Sequence, residues 1–145
     1  MSTRFNWTFT PKLSLQLYMH PLLSIGDYHG FKEFSMPGTY RFREYGSDGS
    51  TINYSNNTYN VDPDDEGPID PFSFVNPDFN FKSLRGTAIL RWEYQPGSIL
   101  YIVWTQDRTN LENPGDFSLR RDVSNLMSSN SDNVFLIKVT YWWNP

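Results

Sequence analysis

The most constraining feature of this sequence is the period-two alternation of residues 134–143 (VFLIKVTYWW). Successive side chains of an extended strand point to opposite faces. One face of this stretch is wholly apolar and aromatic, and carries Phe135, Ile137, Val139, Tyr141 and Trp143. The other face is mixed, and carries Leu136, Lys138, Thr140 and Trp142. The pattern predicts a β-strand with one apolar face, as in a sheet that is half covered.

The same alternation recurs upstream, whereas helical periodicity is nearly absent. We expect strands at about residues 4–10, 13–25, 79–94, 98–107 and 134–143. Proline after the first strand and the segment Gln95–Ser98 predict tight turns. One short helix is expected near residues 119–127, with Asp116 or Ser118 as its cap.

Short and long connections alternate along the chain. The two tight turns are short, and the connections 26–78 and 108–133 are long. Long unstructured loops are uncommon inside compact soluble domains. Outer-membrane barrels instead have short periplasmic turns and longer extracellular loops. We therefore expect an all-β, antiparallel up-and-down meander: the C-terminal segment of an outer-membrane β-barrel with long extracellular loops, made by residues 1–145 as a single segment. Because such barrels have at least about eight strands, the remaining strands would come from the parent chain, which we favour, or from other chains.

The composition also bears on the fold and on the possible partners of the protein. Aromatic residues make up 17% of the chain and hydrophobic residues only 38%, which suits strands with one aromatic face and one polar face. The net charge of −4 and scattered Lys and Arg argue against a nucleic-acid partner. There is no cysteine. The N-terminus has no secretory pattern, so if the protein is exported we expect Met1 to be the start of a fragment or an artificial start.

Several long phrases resemble a known family: WTFTPKLSLQLYMHPLLSIGDYHGFKEF, PDFNFKSLRGTAILRWEYQPGSILYIVWTQ, DFSLRRDVSNL and SDNVFLIKVTYWW. They are similar to the C-terminal end of Gram-negative proteins of unknown function. Those proteins join an N-terminal domain, similar to family-nine carbohydrate-binding modules, to a long outer-membrane β-barrel. The resemblance implies an outer-membrane location. The carbohydrate-binding-like domain would lie upstream, so none of its ligand residues can be assigned here.

Two sets of residues form the candidate site. The expected lipid-facing set is Trp92, Tyr94, Leu100, Ile102, Trp104, Phe135, Ile137, Val139, Tyr141 and Trp143. The expected lumen-facing set is Arg85, Arg91, Glu93 and Lys138, which we expect to pair across strands. Trp and Tyr near strand ends fit the aromatic belt of a membrane interface. In a soluble domain the first set would instead pack in a protein core.

Catalytic chemistry has little support in the sequence. His20 and His29 are the only imidazoles, and no Ser, Asp and His grouping has suggestive spacing. We expect no catalytic residue and no cofactor. The acidic residues Asp62, Asp64, Asp65 and Glu66 are candidates for calcium binding, although they lack the spacing of an EF-hand and a solvated loop is favoured. The tyrosines Tyr40, Tyr45, Tyr54 and Tyr59 could form a sugar-stacking surface, so a glycan is a further candidate partner.

We therefore expect a non-enzymatic component of the outer membrane of a Gram-negative bacterium. It would serve as a pore or as the anchor of an upstream sugar-recognising domain, with outer-membrane lipid and the remaining barrel strands as its partners. Two alternatives stay open. One is a soluble all-β binding module with an aromatic ligand site. The other is part of a carbohydrate-processing protein.

Overall fold

A computed structural model describes residues 2–143 of the chain, which form two compact units. The first contains the residues up to Ile25, Asn80–Glu112 and the residues from Asp116 onward. The second contains Gly26–Phe79 and Asn113–Gly115. Apart from one short helix the regular structure is β-strand with antiparallel pairing, so the predicted all-β class and antiparallel pairing are confirmed.

The elements of the described residues follow one another along the chain. They are β1 (Thr3–Thr10), β2 (Leu13–Gly26), β3 (Lys32–Phe34), β4 (Phe42–Glu44), β5 (Thr51–Ser55), β6 (Thr58–Asp62), β7 (Phe72–Val75), β8 (Phe79–Gln95), β9 (Ser98–Glu112), α1 (Leu119–Ser128) and β10 (Ser131–Thr140). One sheet has the order β1-β2-β8-β9-β10. The shorter strands form a β3-β4 pair and a sheet of order β5-β6-β7.

The two short connections lie side by side at one end of the five-stranded sheet. Pro96-Gly97 joins β8 to β9, and Gly97 has φ +78°, as the third position of a type II turn requires. The N–H of Glu93 donates to the carbonyl of Lys12, in the turn between β1 and β2, at 2.8 Å. The long connections therefore leave from the opposite end of the sheet.

The strand ends differ from those expected at β9 and β10. Both strands extend further into the expected loop 108–133, because Ser131 pairs with Arg108. In contrast, β10 ends at Thr140 rather than 143, since its partner Ile99 is almost the first residue of β9. After β10 the chain crosses the turn between β8 and β9, where the N–H of Trp142 donates to Ser98 Oγ at 3.0 Å.

The second unit replaces much of the loop expected over residues 26–78. Its strands are short, and aromatic rings pack between them. Tyr59 lies 4.6 Å from Tyr54 and 4.8 Å from Phe31, measured between ring centroids. The β5-β6 turn is made by Asn56 and Asn57, both with positive φ, as a two-residue hairpin prefers. The polar residues of this segment thus belong to the turns of a unit that contains an aromatic cluster, rather than to an open loop.

Helix α1 begins and ends close to the predicted bounds. Ser118 is the N-cap residue, but its hydroxyl makes no capping hydrogen bond. The backbone N–H of Ser118 instead donates to Asp122 Oδ2 at 3.0 Å. Arg121 contacts both carboxylate oxygens of Asp116 at 2.9 Å. Over residues 2–143, no helix has the length and apolar character needed to cross a membrane.

Replacing Gly97 by alanine should destabilise the protein by about 1–2 kcal/mol, because a non-glycine residue is strained at positive φ. The added Cβ would also lie 3.0 Å from the Cβ of Trp142. The measurement is the free energy of unfolding in urea. Gly86→Ala is the matched control, since its nearest contact would be an unstrained 3.8 Å. Equal effects of the two substitutions would contradict this assignment of the turn.

Candidate functional site

One side of the five-stranded sheet, the apolar face, carries rows of apolar side chains that cross β8, β9 and β10. The register gives the rows Ala88–Trp104–Phe135, Leu90–Ile102–Ile137 and Trp92–Leu100–Val139. Because every second residue of each strand points to this side, no charged side chain falls within these rows.

The apolar face continues onto β1 and β2. Phe5 lies opposite Leu17, and Trp7 lies opposite Leu15. Leu17 in turn lines a shallow pocket together with Ala88 of β8. One continuous apolar surface therefore extends over all five strands.

The described residues leave the apolar face largely uncovered. Phe135 is 70% exposed, Ile137 68% and Trp7 54%. Among residues 2–143, Val61 and Leu126 are the buried hydrophobic side chains. Soluble monomers rarely expose a contiguous apolar patch beyond a few hundred Å². The face therefore needs a cover that these residues do not supply.

Aromatic side chains bound the apolar face at both ends. Trp104 Nε1 donates to Asn133 Oδ1 at 3.0 Å, just beyond the first apolar row. At the other end the Tyr94 hydroxyl donates to the carbonyl of Thr140 at 3.2 Å. Each ring directs its polar atom away from the rows and its apolar body toward them. Amphipathic aromatics adopt this arrangement where apolar surroundings meet wet ones.

The residues expected to face lipid fall into three groups. Seven lie in the rows: Trp92, Leu100, Ile102, Trp104, Phe135, Ile137 and Val139. Tyr94 lies at a register shift and contacts Trp92 edge-on, with ring centroids 6.1 Å apart. Tyr141 and Trp143 lie beyond the end of β10, outside the hydrogen-bonded ladder, and are strongly exposed.

The opposite side of the sheet, the polar face, carries ion pairs. Arg85 Nε lies 2.8 Å from Asp107 Oδ2, directly across the β8-β9 pair. Arg91 Nη2 lies 3.6 Å from Glu93 Oε2 on the same strand. Both pairs are partly exposed, so each contributes little to stability on its own. The two pairs lie toward opposite ends of this face, and the uncharged row Ile89–Val103–Leu136 lies between them.

Lys138 does not meet the other three charged residues of the expected lumen-facing set. It shares a row with Arg91, but Tyr101 stands between them. The structure instead reveals Asp107 as a partner that the sequence analysis missed. Asp107 falls at the expected end of its strand, and only the register with Arg85 identifies it.

A buried polar cluster joins α1 to the ends of β8 and β9. Lys82 is fully buried, and its Nζ donates to Asn110 Oδ1 at 2.8 Å and to Glu112 Oε2 at 3.1 Å. Asp122, on α1, is equally buried and lies 3.8 Å from the same Nζ. Asp122 Oδ1 also accepts a hydrogen bond from Asn80 Nδ2 at 3.1 Å. Charge and hydrogen bonds, rather than apolar contact alone, therefore hold the helix on the sheet.

This cluster was not predicted, although the sequence carries a signal for it. Asn80 and Lys82 continue the apolar phase of β8, in which Leu84 is the first apolar member. Polar residues in an apolar phase indicate a polar partner on the same side of the sheet. That partner, α1, is distant in sequence.

The charge state of Asp122 follows from its contacts. Burial raises the pKa of this carboxyl, but the N–H of Ser118 and the guanidinium of Arg121 lower it by more in total. The pKa of Asp122 therefore lies below its ordinary value. Asp122 is a carboxylate at neutral pH and can pair with both Lys82 and Arg121.

His20 and the acidic segment make local contacts, whereas His29 lines a pocket of the second unit with Glu44 and Tyr45. His20 lies on β2 with its ring 6.5 Å from that of Tyr18. Asp64 Oδ2 accepts the N–H of Ile69 at 3.1 Å, and Asp62 Oδ1 accepts that of Asp64 at 3.3 Å. Within residues 2–143, no three His, Cys, Asp or Glu side chains converge as metal ligands.

Three of the four tyrosines proposed to stack on sugars come together in the second unit. Tyr45, Tyr54 and Tyr59 line a shallow pocket with Phe31. Tyr40 belongs to the same unit but does not line this pocket, and it is 94% exposed. Burial raises the pKa of Tyr45 and of Tyr59, so both keep their hydroxyl protons at neutral pH.

These features define a class: an antiparallel sheet protein with an exposed apolar face, an ion-paired polar face and a helix held by buried charge. A family described as "Domain of unknown function (DUF5916)" matches residues 1–144. The chain belongs to this family, so the expected membership of a family of unknown function is confirmed. No curated protein and no solved structure matches the chain.

Replacing Lys82 by methionine should destabilise the protein by about 3 kcal/mol, the lower end of the cost of breaking a buried ion pair, because Asp122 loses one of its two cations and keeps Arg121. Urea unfolding of the complete protein measures this change. Lys12→Met, in the exposed turn between β1 and β2, is the control and should have little effect. A small effect of Lys82→Met would show that the cluster does not hold α1.

The attachment of α1 should be insensitive to moderate acid. Because the pKa of Asp122 is lower in the folded protein, its stabilising contribution is present above the unfolded value, 3.8, and is lost as the pH falls through the folded value. The protection factors of the α1 amides against hydrogen exchange should therefore stay high to about pH 4 and fall only below it. Asp122→Asn should accelerate exchange at neutral pH. Release of the wild-type helix near neutral pH would refute this account.

Proposed function

We propose that this chain forms adjacent strands of an outer-membrane β-barrel in a Gram-negative bacterium and has no enzymatic role. In this proposal the apolar face contacts lipid acyl chains and the polar face lines the barrel interior. The observation that carries the proposal is the continuous, uncovered apolar face. Lipid would cover this face without any further protein layer.

The dimensions of the strands support this proposal. A membrane-spanning strand needs about 9–11 residues when it is tilted by ~45°. On β8, apolar alternation runs from Leu84 to Tyr94. The aliphatic row of Leu90, Ile102 and Ile137 lies in the middle of the apolar face, with aromatic side chains toward both ends. Aliphatic centres between aromatic girdles are typical of these barrels.

The edges of the sheet indicate which partners the proposal requires. The outer strands, β1 and β10, each have one neighbour in the sheet. Unpaired backbone groups facing hydrocarbon would each cost several kcal/mol, so open edges do not occur there. Further strands, from the same parent polypeptide or from other chains, would therefore flank β1 and β10 and close the barrel.

The position of the connections supports an orientation. The two short turns share one end of the sheet, as the hydrogen bond between Glu93 and Lys12 requires. In outer-membrane barrels the short turns are periplasmic and the longer connections extracellular. We assign the same orientation here.

The barrel would act as a pore for a solute or as an anchor. The ion pairs Arg85–Asp107 and Arg91–Glu93 give its interior side fixed charges of both signs. The resemblance to proteins that carry an N-terminal carbohydrate-binding-like domain supports the anchor role, because it implies such a domain upstream. That domain would then recognise glycans.

A soluble binding module is the second candidate. The shallow pocket lined by Tyr45, Tyr54 and Tyr59 favours it, because aromatic planes suit sugar rings. Glu44 at the same pocket could accept hydrogen bonds from sugar hydroxyls. Unlike the barrel proposal, this candidate leaves the apolar face without a cover.

Two neighbouring residues on β10 separate the candidates. Ile137 points to the apolar face and Leu136 to the polar face, and both are well exposed, at 68% and 53%. Ile137→Arg should destabilise a lipid-embedded barrel by about 2–4 kcal/mol, whereas Leu136→Arg should be tolerated. The measurement is urea unfolding of the complete polypeptide folded in phospholipid vesicles. A soluble module would tolerate both substitutions, so equally small effects would refute the membrane proposal.

A further inference from the structure

Helix α1 lies on the same side of the sheet as the apolar face. The register continues the alternation of β8 and β9 through Leu84–Arg108 and Lys82–Asn110 to Asn80–Glu112. These residues share the phase of the Ala88–Trp104 row, and both Asn80 and Lys82 contact Asp122 of the helix. Under the proposed function, α1 is therefore on the outer side of the barrel, beyond one end of the apolar rows.

The helix has an exposed apolar stripe as well as a buried side. Asp122 and Leu126 face the sheet and are 0% and 7% exposed. Leu119, Val123 and Met127, spaced four residues apart, are 60%, 44% and 48% exposed. Residues at this spacing share one flank of a helix. Three exposed hydrophobic side chains on one flank of a ten-residue helix require a cover.

The geometry of the helix fixes the direction in which this flank points. Asn125 Nδ2 donates to both carboxylate oxygens of Glu112, which is the last residue of β9 and lies farthest from the apolar rows. At about 100° per residue, Val123 and Asn125 lie on opposite flanks. The stripe therefore points away from Glu112, toward the apolar rows. Arg108, between those rows and the cluster, donates to the carbonyl of Met127 and holds the end of the helix there.

We infer that α1 is an in-plane interfacial helix whose stripe of Leu119, Val123 and Met127 inserts at the boundary between lipid headgroups and acyl chains. This inference rests on the proposed function. Amphipathic helices bury their apolar side by about 5–10 Å at this boundary. The exposed side chain of Arg120, on the side of the helix away from the sheet, suits anionic lipid headgroups. The buried Lys82–Asp122 pair fixes the helix at this depth.

Spin labels at single cysteines test the inference, because residues 1–145 contain no cysteine. The variants are Val123→Cys on the stripe, Ser124→Cys on the outward side of α1, and Ile137→Cys in the middle of the apolar face. The complete polypeptide, without other thiols, is reconstituted in phospholipid vesicles. Electron paramagnetic resonance then compares collisions of each label with oxygen, which concentrates in lipid, and with a water-soluble nickel chelate.

The oxygen-to-nickel collision ratio should be highest at position 137, several-fold higher at 123 than at 124, and lowest at 124. A high ratio at 137 with equal ratios at 123 and 124 would overturn the helix inference and leave the barrel proposal intact. Low ratios at all three positions would overturn both. A label at 123 that is immobile and shielded from both reagents would indicate a protein partner and would also overturn the inference. Met127→Cys repeats the test on the next turn of the stripe.

Discussion

The hydrogen-bonded pairing of β8, β9 and β10 is the constraint on which the rest of the structure depends. Once Leu90, Ile102 and Ile137 share a row, alternation places every other apolar row on the same side of the sheet. The opposite side then receives Arg85 and Asp107 as a cross-strand pair. A sheet with such unequal sides favours different surroundings on its two sides.

The polar end of the sheet follows a different principle. There Asn80 and Lys82 occupy positions of β8 that point to the apolar side of the sheet. The buried carboxylate of Asp122 contacts both of them. Buried ions are costly unless they are paired and hydrogen bonded, so such a cluster accepts few alternative positions of α1. The helix is thereby held at a defined position beyond one end of the apolar rows. A purely hydrophobic contact would define this position less sharply.

Local alternation was sufficient to predict the five long strands and the two sides of the sheet, and the short helical segment after residue 118 was equally recognisable. Contacts between distant residues were not predictable. Lys82 and Asp122 are far apart in sequence, and nothing local to either indicates the other. The second unit was obscured for another reason: its turns are rich in Asn, Asp and Gly, which masked the packing of Tyr59 between Tyr54 and Phe31. The end of β10 depended on where β9 begins, which composition does not reveal.

The crossing of the chain over the turn at Gly97 has a consequence for the fidelity of folding. The apolar side of β10 is so uniform that sliding the strand by two positions would keep every side chain on its proper side. Such a slip is opposed at the two ends. At one end the N–H of Trp142 donates to Ser98 Oγ. At the other end Asn133 Oδ1 accepts hydrogen bonds from Trp104 Nε1 and Gln106 Nε2. These contacts act as stops that allow one alignment of an otherwise repetitive strand.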